Sequence, residues 1–329
     1  MPYHFKKIFF LYFILVTIQS CTVTKKAPSA LTYENSSCYH QSDYAYTADN
    51  LPRPIHTLHL DTALTSNYSA TSLNIANALG LLDDLNKYAL LSDEFKMNPS
   101  TDLKIEILEI IQSVNHTINT SSLEISSVTS ELDCEEERAS QISGFLKGKS
   151  DTREKKLVIG SIVTGAAGSV AAELLSGNAS TYVAIGTSLA EASLGLLMLF
   201  NNPKTFFYHF RNTPAEIWYG PVVSKTLPPS IWYYLNYKNP AGSERTLREQ
   251  LIHNWTAFGQ IDTVEKDDRN IPIYFGTGGK YSAEQLQNRA DMYDQIEAYI
   301  SLMKQELSRL SNEFGSNVKR NNTPALKRG

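Results

Sequence analysis

Cysteine is scarce, with three residues in 329 positions. That excludes the disulfide-dense scaffold with which small secreted domains replace a core, and it is one short of a four-cysteine zinc site. Glycine at 17 and proline at 13 are too few for a collagen or a low-complexity polymer. Positive charge is not in excess: 30 Lys and Arg against 34 Asp and Glu give a net charge of −4, which argues against a dedicated nucleic-acid binder. There is no Gly-x-Ser-x-Gly elbow and no clustered Cys/His set. No cofactor, metal or catalytic residue is therefore assigned. With 42% hydrophobic residues, the chain can build a large core without staples, and its length suggests roughly two domains.

Uncharged apolar runs are few, and the first lies in residues 1–20. Lys6 and Lys7 precede Ile8–Ile18, a run too short to span a bilayer comfortably, followed by the small Ser20 and then Cys21. Residues 1–20 read as an export signal. The segment Ile18-Gln19-Ser20-Cys21 resembles the lipobox of bacterial lipoproteins, with Gln19 where a small or aliphatic residue is usual. The resemblance covers the leader alone. It implies that Cys21 becomes the N-terminus and carries lipid, palmitate included. It also implies a protein anchored in the bacterial cell envelope, at the outer membrane rather than the inner, which Thr22 allows. Loss of Lys6 and Lys7 leaves 28 basic against 34 acidic residues, a net −6. Residues 21–68 read as a lipid tether and extended segment, rich in Ser, Thr and Tyr up to Ala48. Cys38 and Cys134 either pair in an oxidising compartment or are two unrelated thiols.

Residues 69–156 predict long helices. Leu73, Ala76, Leu79, Leu82, Leu85, Ala89 and Phe95 give a helical spacing over 69–95, broken at Met97-Asn98-Pro99-Ser100. The next seam is longer: Ile107, Ile111, Val114, Ile118, Ser121, Ile125, Val128, Leu132, Glu135, Ala139, Ile142 and Leu146 step by four and three. Only Ser121 and Glu135 interrupt it. A 3.5-residue period held this long specifies a helix with a coiled-coil-like stripe. A second seam occupies 282–314, opened by a capping box at Ser282 and Gln285. It runs Leu286, Arg289, Tyr293, Ile296, Ile300, Met303, Leu307, Leu310 and Phe314, with Arg289 the exception. After Gly315, residues 316–329 read as a basic disordered tail. The two stripes pack on each other as a bundle, or pair between chains in a self-associating coiled coil.

Between the seams, 157–200 reads as an apolar helical hairpin turning at Gly177-Asn178. Gly160, Gly165, Gly168 and Gly186 mark it, with small residues recurring four apart, and Glu191 is the one charge of its second arm. It is either a buried core or a membrane hairpin. In the second case Glu191 near a bilayer centre costs about 2.5–3.5 kcal/mol. An apolar hairpin between long helices is similar in architecture to helical pore-forming toxins, although no motif carries the likeness and a lipid-tethered N-terminus departs from it.

Residues 201–281 form an aromatic-rich subdomain. All three Trp, at 218, 232 and 255, fall between Phe206 and Phe275. Thr213-Pro214-Ala215-Glu216 predicts a capped helix, Leu227-Pro228-Pro229-Ser230 another, and Ser243 a third reaching Phe258. Ile271–Phe275 reads as a short strand or extended loop. The rings either fill a core, line a membrane interface, or form a partner-binding surface.

Chemical motifs are weak. Gly276-Thr277-Gly278-Gly279-Lys280 lacks the spaced first glycine and the Ser or Thr of a phosphate loop, and reads as a turn before the last helix. His56, His59 and Asp61 sit in an extended Pro-containing stretch that does not bring the rings together. His116 reads as exposed on a polar face; His209 and His253 lie among aromatics without an evident third partner. Asp133, Glu135, Glu136 and Glu137 read as a solvated acidic face. The sequence thus predicts a mainly α long-helix bundle with coiled-coil-like seams, an apolar hairpin and a small aromatic subdomain. Its expected function is that of a non-catalytic envelope lipoprotein with a structural or protein-interaction role. The alternatives are a membrane-inserting protein acting through 157–200, and an envelope enzyme or ligand binder using the aromatic subdomain.

Overall fold

The computed structural model describes Cys38 and residues 47–174, 203–209, 211–240, 242, 244–261 and 270–322. The leader, Cys21, most of the tether and the second arm of the apolar hairpin, with Gly186 and Glu191, lie outside the described residues. Gly160, Gly165 and Gly168 lie on helical backbone.

The fold is mainly α. Two single turns of 3-10 helix, Ala48–Asn50 and Ile55–Thr57, lead into α1 (Thr62–Asn67), α2 (Ala70–Ala78), α3 (Leu82–Met97) and α4 (Thr101–Leu174). Then come β1 (Lys204–Tyr208), α5 (Thr213–Tyr219), α6 (Pro229–Asn236), α7 (Leu247–Ala257), α8 (Asn270–Phe275), β2 (Gly278–Ser282) and α9 (Ala283–Asn322).

The two heptad seams close on each other within one chain. From Ile107 to Leu146 on α4, and from Leu286 to Phe314 on α9, the stripe residues are buried, Ile111 and Val128 being half-buried. Two cross-links fix an antiparallel register: Ser143 donates to the carbonyl of Ala283 at 2.7 Å, and Lys304 to Ser126 Oγ at 2.8 Å. Each fully buried Leu or Ile on such a seam stabilises by about 1.5–3 kcal/mol, so the paired stripes, rather than the few ion pairs at the surface, hold the bundle. α2 packs on the far end of α9, and α3 on α4.

Several local expectations change. The helix expected over 69–95 is two helices. Gly80 at φ +70 ends α2, and the Leu81 N–H bonds the Ala76 carbonyl at 2.8 Å, the six-to-one bond of a glycine helix stop. The tail expected from Gly315 is helical to Asn322. Asn317 is buried and donates to the Asn67 carbonyl at 3.2 Å, and Asn321 reaches Tyr88 Oη at 3.2 Å. Those contacts outweigh one glycine, which costs about 1 kcal/mol in a helix. Ile271–Phe275 is part of a helix, not a strand. The glycine run is not a loose turn: Gly278-Gly279-Lys280 forms β2, which pairs antiparallel with β1, Phe206 opposite Lys280 and Tyr208 opposite Gly278.

Capping also differs. α5 is capped by Asn212, whose Oδ1 accepts from the Ala215 N–H at 3.3 Å. Glu216, released from the expected capping box, instead accepts from the backbone of Lys225 and Thr226 and from the hydroxyls of Ser224 and Thr226, closing the loop before α6. Thr246, not Ser243, caps α7 in a complete capping box with Glu249. The box at Ser282 and Gln285 forms in both directions, at 2.8 and 3.2 Å.

Candidate functional site

The two charged exceptions to the heptad seams are both buried inside the bundle. Glu135 is 2% exposed on α4, and Arg289 is fully buried on α9. Glu135 therefore leaves the solvated acidic face assigned to it, while Asp133 and Glu137 remain exposed. One turn along α4, Arg138 donates to Glu135 at 2.6 Å and lies 4.1 Å from the ring centroid of Phe207 on β1. Arg289 donates to the Tyr274 carbonyl at 3.0 Å, to Asn212 Oδ1 at 3.2 Å and to Tyr293 Oη at 2.8 Å. A long basic side chain thus ties α9 to α8 and to the cap of α5.

His209 extends the layer from the end of β1. Its Nε2 lies 2.8 Å from Tyr281 Oη and 3.2 Å from the Ile273 carbonyl. Tyr281 donates its own proton to that carbonyl at 2.6 Å. A carbonyl only accepts, so Nε2 carries the ring proton, and buried Nδ1 has no hydrogen-bond partner. Burial, helped by the charges of Arg289 and Arg138 and opposed by the bond to Ile273, pushes His209 down to about 2. The ring is neutral throughout the physiological range. Burial likewise pushes Tyr293 up to about 12 and holds Tyr281 well above the usual phenol range.

A buried histidine and two buried tyrosines with displaced pKa values, beside a buried Arg and a buried Glu, are the raw material of an acid–base site. Here they are bonded to neighbours in the core, His209 to Tyr281, Arg289 to Tyr293 and Glu135 to Arg138. The void beside Glu131, Glu135, Thr226 and Tyr293 is about 10 Å³, room for one water at most. Polar residues at core positions of paired helices can align one helix against the other, and Glu135 and Arg289 occupy such positions.

The aromatic segment is packed core around this layer. Trp218 stacks on Phe275 with ring centroids 4.8 Å apart, and Trp255, Tyr274, Phe275 and Tyr281 are buried. Tyr233 locks the N-terminal segment to α2: it accepts from the Ile55 N–H at 3.2 Å and from Asn77 at 3.0 Å, and donates to Asn74 at 2.8 Å.

Open concavities lie elsewhere. A cleft of about 740 Å³ runs between α2 and α6, α7 and α9, with Tyr68, Tyr234, Tyr237, Tyr299 and Glu306 on its walls. Tyr234 donates to Glu306 at 3.2 Å, and burial raises Glu306 above the usual carboxylate range. His56 lines this cleft; His59 and Asp61 line a smaller one of about 440 Å³. Asp61 is engaged as the cap of α1, accepting from the Ala63 N–H at 2.9 Å. Among the described residues no three His, Cys, Asp or Glu side chains converge as a metal site. His116 and His253 are exposed.

Two further features lie on α4. Cys38 is bonded to Cys134 on α4, Cα to Cα 5.6 Å. Beyond the level of Ser143 and Ala283, α4 leaves its partner: the residues 147–149 and 151–156 are exposed, and the helix continues to Leu174. From Lys147 to Leu174 it runs about 42 Å. Among the described residues no helix is long and apolar enough to cross a membrane.

Periodicity exposed Glu135 and Arg289 as misfits, and that signal led to the layer. His209 and Tyr281 gave no such signal, because their contact is made by a sheet pairing between strands 70 residues apart. In comparisons with known proteins, the chain matches no family model, no curated protein and no solved structure.

Proposed function

We propose that this protein is a lipid-anchored envelope protein whose helical bundle has a structural or protein-interaction role rather than a catalytic one. The supporting observation is the interior: the groups best suited to acid–base chemistry are buried and bonded within the protein, His209 to Tyr281, Arg289 to Tyr293 and Glu135 to Arg138. The Cys38–Cys134 bond supports an oxidising compartment, and the lipobox-like leader supports export and acylation of Cys21. Partners then bind surfaces outside the heptad seams, which the bundle itself consumes. Metabolic labelling with palmitate tests the anchor. Label is expected in the wild type and absent in Cys21→Ala, and equal label in both removes the anchor from the reading.

A second reading is favoured by the projecting end of α4: the segment 157–200 enters a bilayer. The helix carries the start of this apolar run away from the bundle rather than folding it back, with Val158 44% exposed. Carbonate and mild-detergent washes of a chain starting at Thr22 separate the cases. Full release makes lipid the sole anchor; retention makes 157–200 a membrane element. Dye release from vesicles asks whether that element permeabilises, and wild-type release by Gly168→Leu and Glu191→Lys would clear the hairpin of that activity.

A further inference from the structure

We propose that the exposed stretch of α4 from Lys147 to Lys156 is a docking surface for the anionic headgroups of a lipid bilayer. This rests on the reading that 157–200 enters that bilayer. The stretch holds Lys147, Lys149, Arg153, Lys155 and Lys156 against Asp151 and Glu154, a local net of +3 in a chain whose overall charge is −4. All seven side chains are exposed. Among the described residues none of the five cations is ion-paired, although Asp151 and Lys155 stand four apart on one helix.

The pattern is directional. Lys149, Arg153 and Lys156 step by four and three and so share one face, while Asp151 and Glu154 fall on the opposite side of the helix. An ordinary solvated helix face alternates sign. This one presents a single sign and stops at Leu157, where sixteen uncharged residues begin on the same unbroken helix. When such a run enters hydrocarbon, the turns before it lie at the headgroups, and long Lys and Arg stems reach along the interface.

The tether is compatible with the same surface. Cys134 precedes Leu157 by 23 residues, about 35 Å along the helix. Cys21 precedes Cys38 by 17 residues, which extend to about 56–61 Å. Because Cys38 is fixed at Cys134, a lipid on Cys21 reaches the plane of the basic stretch with chain to spare.

Vesicle flotation tests this with the mature chain, residues 21–329 carrying Cys21→Ser, so that acyl chains play no part. Vesicles are phosphatidylcholine alone, or phosphatidylcholine mixed with phosphatidylglycerol, at low and high salt. The expected result is binding to both, at least roughly tenfold tighter to the anionic vesicles at low salt, with that preference largely lost in the triple variant K149Q/R153Q/K156Q. The variant D151N/E154Q is expected to strengthen the preference. Glutamine has nearly the helix propensity of Lys and Arg, so the exposed helix survives the change. Equal preference in wild type and the triple variant overturns the proposal and leaves the membrane reading standing. Absence of flotation on either vesicle overturns both.

Discussion

Arg289 stands where the heptad rhythm calls for an apolar residue, and its fork ends on a carbonyl, an amide oxygen and a phenol. Arg289→Leu restores the apolar rhythm but strands those acceptors in the core, so it is expected to destabilise the fold by about 2–4 kcal/mol, read as a lower urea midpoint. A raised midpoint would mean the layer enforces alignment at a cost in stability. His209 makes a pH prediction. Its folded pKa lies at about 2, against about 6.5 for an unperturbed histidine. Between those values the unfolded chain binds a proton that the folded one does not, so stability falls as pH drops below 6.5, by about 1.4 kcal/mol per unit. At pH 5 the loss is about 2 kcal/mol. His209→Gln keeps a donor toward Ile273 and removes this slope; comparing the two unfolding free energies at pH 7 and pH 5 isolates it.

At the level of elements, two glycines act in opposite senses. Gly278 opens β2 at φ +95, and a Cβ there would collide with the Phe207 carbonyl and lie 2.8 Å from Tyr208 Cα. Gly278→Ala should cost about 2–4 kcal/mol and expose the β1–β2 amides to hydrogen exchange. Gly315 lies within α9 with nothing near its missing Cβ. Gly315→Ala should raise stability by about 0.5–1 kcal/mol, seen in the thermal midpoint. These two sites also mark the limits of what the sequence disclosed. The seams of α4 and α9 were legible because a 3.5-residue period held for about eight turns or more has few rival explanations. The end of α9 was not, since Gly315 is a local stop signal that Asn317 and Asn321 override through partners more than 200 residues away. β1 and β2 were illegible for a similar reason: five residues each, one nearly half glycine, paired only through the tertiary fold. The polar layer was half visible, as two misfits in separate seams with nothing in the sequence to say that they share one bundle core.

For the molecule as a whole, the Cys38–Cys134 bond closes a loop of 96 residues in sequence separation that contains α1, α2, α3 and the first turns of α4. Constraining a loop of that length stabilises by about 2–4 kcal/mol in the usual range, so a reducing agent is expected to lower the thermal midpoint of the wild type and leave that of Cys38→Ser unchanged. The same bond has a mechanical consequence. A pull on residue 21 is delivered to α4 at Cys134, and the enclosed helices lie off the line of force. Stretched between residue 21 and the C-terminus, the oxidised protein should yield a contour length shorter than the reduced one by on the order of 320–350 Å. Load from a surface would then run straight into the longest helix of the bundle, with the helices inside the loop held slack beside it.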